Sequence, residues 1–138
     1  MYSPVMPERK IVKFPGRTAP LYSIGASAGT GQFLDSSDYE MIDVPDDVPL
    51  SANFALHVCG DSMEPTLHDG DTIWVQQQPT LENGEIGVFF LDGNAYVKEL
   101  RRTSEGVSLI SHNEKYKPIK IHEYNESKIY GKVVYPIV

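Results

Sequence analysis

Hydrophobic and polar positions alternate with a period of two through much of the chain from residue 50 onward, the pattern of half-buried strands. Phe54, Leu56 and Val58 alternate with Ala55, His57 and Cys59, which predicts a strand running to Gly60. Thr72-Ile73-Trp74-Val75-Gln76 is a second strand, set off by His68-Asp69-Gly70-Asp71. Ile86 to Leu91 is a third, opened by an Asn83-Gly84 turn. Asp92-Gly93-Asn94 carries hairpin-turn chemistry, and Ala95 to Arg101 is the returning strand. Val107 to Ser111 and Ile129 to Val134 complete the pattern, the last as a plausible edge for pairing between subunits. No segment carries an apolar stripe of helical period. The expectation is a mostly β fold of about seven to nine short strands. It contains no recognition helix, hence no helix-turn-helix within this chain.

The first half reads differently. Residues 1–20 form an arm broken by Pro4, Pro7, Pro15 and Pro20, with Arg9, Lys10, Lys13 and Arg17 as basic residues; it reads as a solvated linker or hinge. Residues 21–49 are a segment and loop preceding the core. Within it, 21–34 is rich in Gly, Ala, Ser and Thr, backbone that a groove can approach closely. Residues 35–49 are acidic and end at Pro45 and Pro49, an exposed loop. Residues 50–138 are the core, and 21–138 together make one domain.

Composition narrows the function classes. The chain has 138 residues, enough to bury a core without disulfides or metals. Twelve basic against 19 acidic residues give a net charge of −7, which argues against a dedicated nucleic-acid binder. Cys59 is the single cysteine, so no internal disulfide forms, and a buried inert thiol is expected there. His57, His68, His112 and His122 lack metal-ligand spacing, and Asp69-Gly70-Asp71 reads as a turn, so neither metal nor cofactor is expected. Trp74 reads as core or rim packing. No apolar run reaches membrane-span length and the N-terminus has no signal-peptide core, so the expectation is a soluble cytoplasmic protein without membrane contact.

Two places could carry chemistry. In Val58-Cys59-Gly60-Asp61-Ser62-Met63-Glu64-Pro65 a strand ends and Ser62 follows in what reads as the first turn of a short helix. That exposes a hydroxyl beside free backbone N–H groups, as an oxyanion hole requires, although a serine there can equally be a plain N-cap. In the strand from Ala95, alternation puts Tyr96, Lys98 and Leu100 on one face and Ala95, Val97 and Glu99 on the other. Lys98 would then lie partly buried between large neighbours; alternatively it is an edge lysine whose stem snorkels. A free lysine is only about 0.04% neutral at pH 7. A shift of roughly three units, about 4 kcal/mol, makes it a base there, and desolvation can supply it. A neutral Lys98 could take the proton from Ser62 with no histidine.

Gly60-Asp61-Ser62-Met63-Glu64-Pro65, Asp69-Gly70-Asp71, Asn83-Gly84-Glu85 and Ala95-Tyr96-Val97-Lys98 together resemble the peptidase domain of the LexA family (S24). That family includes phage repressors of the CI type and the polymerase-accessory protein UmuD. Leu109-Ile110-Ser111-His112-Asn113, Tyr116-Lys117-Pro118-Ile119 and Tyr130-Gly131-Lys132-Val133-Val134 extend the resemblance over about residues 21–138. It implies a β-fold of the LexA and signal-peptidase type, of short strands with little helix. It implies Ser62 as nucleophile, Lys98 as general base, and backbone amides of Asp61 and Ser62 as the oxyanion hole. The substrate would be the chain's own Ala28-Gly29 bond, which lies 34 residues before Ser62.

The resemblance further implies a homodimer, release of a repressed operator on cleavage in an SOS-type response to DNA damage, and a RecA filament on single-stranded DNA as co-protease. Repressors of this family bind DNA through an N-terminal helix-turn-helix domain, and no such domain is present in this sequence. The hinge-like arm favours the C-terminal domain of a repressor over a stand-alone UmuD-like protein. A non-catalytic dimerisation module remains a rival, and a signal peptidase is disfavoured for want of a membrane anchor.

Overall fold

The computed structural model describes residues 16–23 and 38–136. Among them are nine strands and no helix: β1 (Thr18–Tyr22), β2 (Tyr39–Asp43), β3 (Phe54–His57), β4 (Thr72–Gln77), β5 (Ile86–Leu91), β6 (Asn94–Thr103), β7 (Gly106–Ile110), β8 (Ile119–Ile121) and β9 (Ser127–Tyr135). They form one mixed sheet in the order β2-β1-β3-β4-β9-β5-β6-β7-β8. Only β1 and β3 run parallel; all other neighbours are antiparallel. The mostly β expectation holds. No helix among the described residues is long and apolar enough to cross a membrane.

Both faces of the central strands are covered, so alternation sorts side chains between clusters rather than between core and water. In β3 and β4, Phe54, Leu56, Ile73 and Val75 enter the main cluster, whereas Ala55 and Trp74 enter a second with Ala19, Val44, Val48 and Ala52. In β5, Ile86, Val88 and Phe90 join the main cluster and Phe89 and Leu91 a third with Leu81, Leu100 and Leu109. This explains why Ile86–Leu91 is buried at every position. The β5–β6 hairpin turns on Asp92 and Gly93, with φ of 48° and 92°, the left-handed pair such a two-residue turn needs.

Three expectations change. Residues 129–134 are not an edge: β9 pairs with β4 on one side and β5 on the other, at the middle of the sheet. Gly131 permits this close fit, since a Cβ there would meet the Gln76 carbonyl oxygen at 2.3 Å. The acidic loop contains β2, an edge strand whose exposed side chains leave no apolar alternation to read. The arm's last residues belong to the fold. Thr18, Ala19 and Pro20 lie in β1, and the Arg17 guanidinium donates to the carbonyl oxygens of Ala52 and Pro49, each at 3.1 Å. The rest of the arm, residues 1–15, and the Ala28-Gly29 bond lie outside the described residues.

Candidate active site

The loop between β3 and β4 presents Ser62. Gly60, at φ +84°, turns the chain away from β3, and its N–H donates to Asp69 Oδ1 at 2.7 Å. The Glu64 N–H then donates to the Asp61 carbonyl at 3.1 Å and the Leu67 N–H to the Met63 carbonyl at 2.9 Å. Met63 and Leu67 are buried in the main cluster and anchor the loop, leaving Ser62 half-exposed just before them. The expected helical turn is a run of turns instead. Pro65 has no N–H to give the Asp61 carbonyl, so the tighter bond from Glu64 forms and no helix propagates. Asp69 and Asp71 behave as turn residues, the latter accepting from the His68 N–H at 2.8 Å.

Lys98 comes from the middle of β6. Alternation places it as expected, and it is buried, 6% exposed. Its Nζ lies 2.9 Å from Ser62 Oγ, across 36 residues of sequence, and 2.9 Å from Ser111 Oγ. The rings of Tyr96 and Tyr116 sit 5.8 and 5.9 Å from Nζ. Burial holds the Lys98 pKa below the ordinary lysine range, because desolvation disfavours the ammonium. Ser62 and Lys98 line a cavity of about 110 Å³ together with Val58, Cys59, Met63 and Tyr96. Cys59 is exposed rather than buried: Val58 still enters the main cluster after β3 ends, and Cys59 is exposed as His57 is. It also lines a groove of about 540 Å³ beneath Tyr22, Ser23, Asp38 and Tyr39, where β1 ends and β2 begins.

A third segment, unassigned by the sequence, braces the other two. The β6–β7 register pairs Glu99 with Ile110, so one step further Ser111 faces Lys98. His112 Nδ1 lies 2.5 Å from Thr66 Oγ1 and its Nε2 2.7 Å from Glu99 Oε1, joining the serine loop to the lysine strand. The Asn113 N–H donates to the Ser62 carbonyl at 2.9 Å and its Nδ2 to the Asp61 carbonyl at 3.0 Å. Lys115 pairs with Asp61 Oδ2 at 2.8 Å and Tyr116 donates its hydroxyl to Asp61 Oδ1. These two partners, Lys115 first, hold the Asp61 carboxyl below its usual range. The sequence singled out Leu109–Asn113 and Tyr116–Ile119 through the family resemblance alone and gave Ser111, His112 and Asn113 no role.

Residues 20–134 match the family described as Peptidase S24-like. The chain is 36% identical to the LexA repressor of Mycobacterium leprae over 134 residues, 96% of this chain and 52% of that protein. It is 43% identical to the LexA repressor of Oleidesulfovibrio alaskensis over 82 residues, 59% of this chain and 40% of that protein. With the LexA repressor of Streptomyces avermitilis it shares 46% identity over 82 residues, 59% of this chain and 34% of that protein. The chain thus spans about half or less of the length of these curated relatives.

Proposed function

The chain belongs to the S24-like peptidase family, and on that premise we propose that Ser62 and Lys98 are a serine–lysine dyad that cuts the chain's own Ala28-Gly29 bond. The observation that carries this reading is the 2.9 Å approach of Nζ to Oγ by a lysine that has lost its water. A neutral Lys98 accepts the Ser62 proton as Oγ attacks the Ala28 carbonyl carbon. The tetrahedral oxyanion is held by the backbone amides of Asp61 and Ser62. The C–N bond then breaks and the proton on Lys98 passes to the leaving Gly29 amine. Water, deprotonated by Lys98, releases the acyl group from Ser62.

Three features favour this substrate. The cavity at the dyad, about 110 Å³, suits a side chain as small as alanine's. The groove sharing Cys59 with that cavity opens at Ser23 and Asp38, the residues between which the 24–37 segment is tethered. Tethering supplies a high effective concentration, so no affinity for foreign peptide is needed.

By the likeness to LexA repressors, the domain serves a transcriptional repressor. It dimerises, and its cleavage separates dimerisation from DNA binding, with a RecA filament as the co-protease in an SOS-type response. Intact mass spectrometry of the chain incubated from pH 7 to 10 tests the bond: fragments of residues 1–28 and 29–138 are expected. Fragments split elsewhere overturn the Ala28-Gly29 assignment, and no fragments with or without RecA favour a non-catalytic module.

A further inference from the structure

We propose that Ser111 is a positioning residue for Lys98, fixing the rotation of its amine so that the lone pair faces Ser62; this rests on the dyad reading above. The argument begins with what a neutral lysine needs. An amine has two N–H bonds and one lone pair, and it spins freely about its terminal C–N bond unless an acceptor holds it. Only the rotamer with its lone pair toward Ser62 can take the serine proton. Ser111 Oγ, 2.9 Å from Nζ, accepts one N–H and removes the freedom to turn.

The site of Ser111 is itself rigid. It follows directly on β7, opposite Lys98 in the register of the β6–β7 hairpin, with Leu109 fully buried two residues earlier. His112 and Asn113 next to it bond to Thr66, Glu99 and Ser62. The hydroxyl therefore reaches the amine from packed backbone rather than from a mobile loop.

Chemical type matters as much as place. An acceptor without charge orients the amine yet leaves its burial uncompensated, whereas a carboxylate would hold the proton on it. The groups facing Lys98 conform to this. Ser62 and Ser111 present hydroxyls and Tyr96 and Tyr116 present rings, while the nearby carboxylates are held by other partners, Asp61 by Lys115 and Glu99 by the His112 ring at 2.7 Å. Cys59 also lines the cavity.

The test compares Ser111→Ala, Ser111→Thr and Ser111→Asp in the full chain. Self-cleavage rates are followed from pH 6 to 11, and Lys98 is titrated by NMR in a Ser62→Ala background that cannot cut. Ser111→Ala should lower the plateau rate about ten- to a hundredfold, and its Lys98 should titrate at lower pH, the ammonium having lost an acceptor. Ser111→Thr should restore both. Ser111→Asp should move the rate profile and the Lys98 titration to higher pH. Ser111→Ala with the wild-type plateau and Lys98 titration overturns the inference, as does a slower Ser111→Ala that Thr fails to rescue while folding normally. Cutting that persists in Ser62→Ala instead overturns the dyad, a separate result. Should the wild type not cut, the NMR titrations alone still decide whether Ser111 holds the amine.

Discussion

Asn113 secures Ser62 from behind: its backbone N–H donates to the Ser62 carbonyl at 2.9 Å while its side chain donates to the Asp61 carbonyl at 3.0 Å. Two consecutive carbonyls are thus turned toward one residue, which fixes the peptide plane whose amide is assigned to the oxyanion. Asn113→Ala keeps the backbone bond and loses the other. It should destabilise the fold by about 1 kcal/mol and slow cleavage by more than that loss of folded protein explains. Urea unfolding beside single-turnover cleavage rates separates the two effects.

Lys98 weakens the fold it serves. Its folded pKa lies below the ordinary value, so between the folded and unfolded pKa the unfolded chain binds more protons and stability rises with pH. Below the folded pKa the cost of the buried charge is felt in full. Lys98→Met, close in volume, should therefore be more stable than wild type at pH 7, by roughly 1 kcal/mol or more. The advantage should shrink toward pH 10. Denaturation midpoints at both pH values check this, and a Lys98→Met less stable at pH 7 contradicts it.

The Asp61 clasp has the opposite sign. Lys115 and Tyr116 hold its folded pKa below the ordinary carboxylate value of 3.8, so the contribution is present above that pH and lost as pH falls through the folded value. Amides of Asn113 and Lys115 should lose protection from hydrogen exchange in that acid range before β5 and β9 do. Lys115→Met should move this loosening to higher pH. Simultaneous exchange of the clasp and of β9 would show that the clasp has no local stability of its own.

Gly131→Ala should unfold the protein or cost several kcal/mol. The added Cβ would lie 2.3 Å from the Gln76 carbonyl oxygen and 2.7 Å from Val75 Cγ1, and β4 backbone cannot retreat without opening the β4–β9 ladder. Gly106→Ala makes a useful comparison. Its nearest neighbour is the flexible end of Lys120 at 3.9 Å, so its cost comes from the positive φ of 126°. Thermal unfolding should rank Gly131→Ala far below Gly106→Ala.

What could be read without coordinates follows from where the burial signal lies. Strands β3 to β6 were legible because their apolar residues enter clusters on both faces, and β7 because Val107 and Leu109 alone meet a cluster while Ser108 between them does not. Strand β9 was legible as a strand, but periodicity says nothing about neighbours, and its central place depends on Gly131 and the Gln76 backbone. Strand β1 was hidden by Pro20 and small residues, and β2 by exposure at the sheet's edge. Lys98 could be placed because one period-two count fixes its face. Ser111 could not, because its contact depends on the β6–β7 register, which links residues 13 apart through a turn.

The central claim is that Ser62 and Lys98 cut this chain together. The direct measurement is the first-order rate of self-cleavage at pH 10 for wild type, Ser62→Ala and Lys98→Ala, followed by intact mass. Cleavage in the wild type, slower at pH 7 than at pH 10, and its loss in both variants is the predicted result. Wild-type cleavage that either variant retains at full rate would contradict the account.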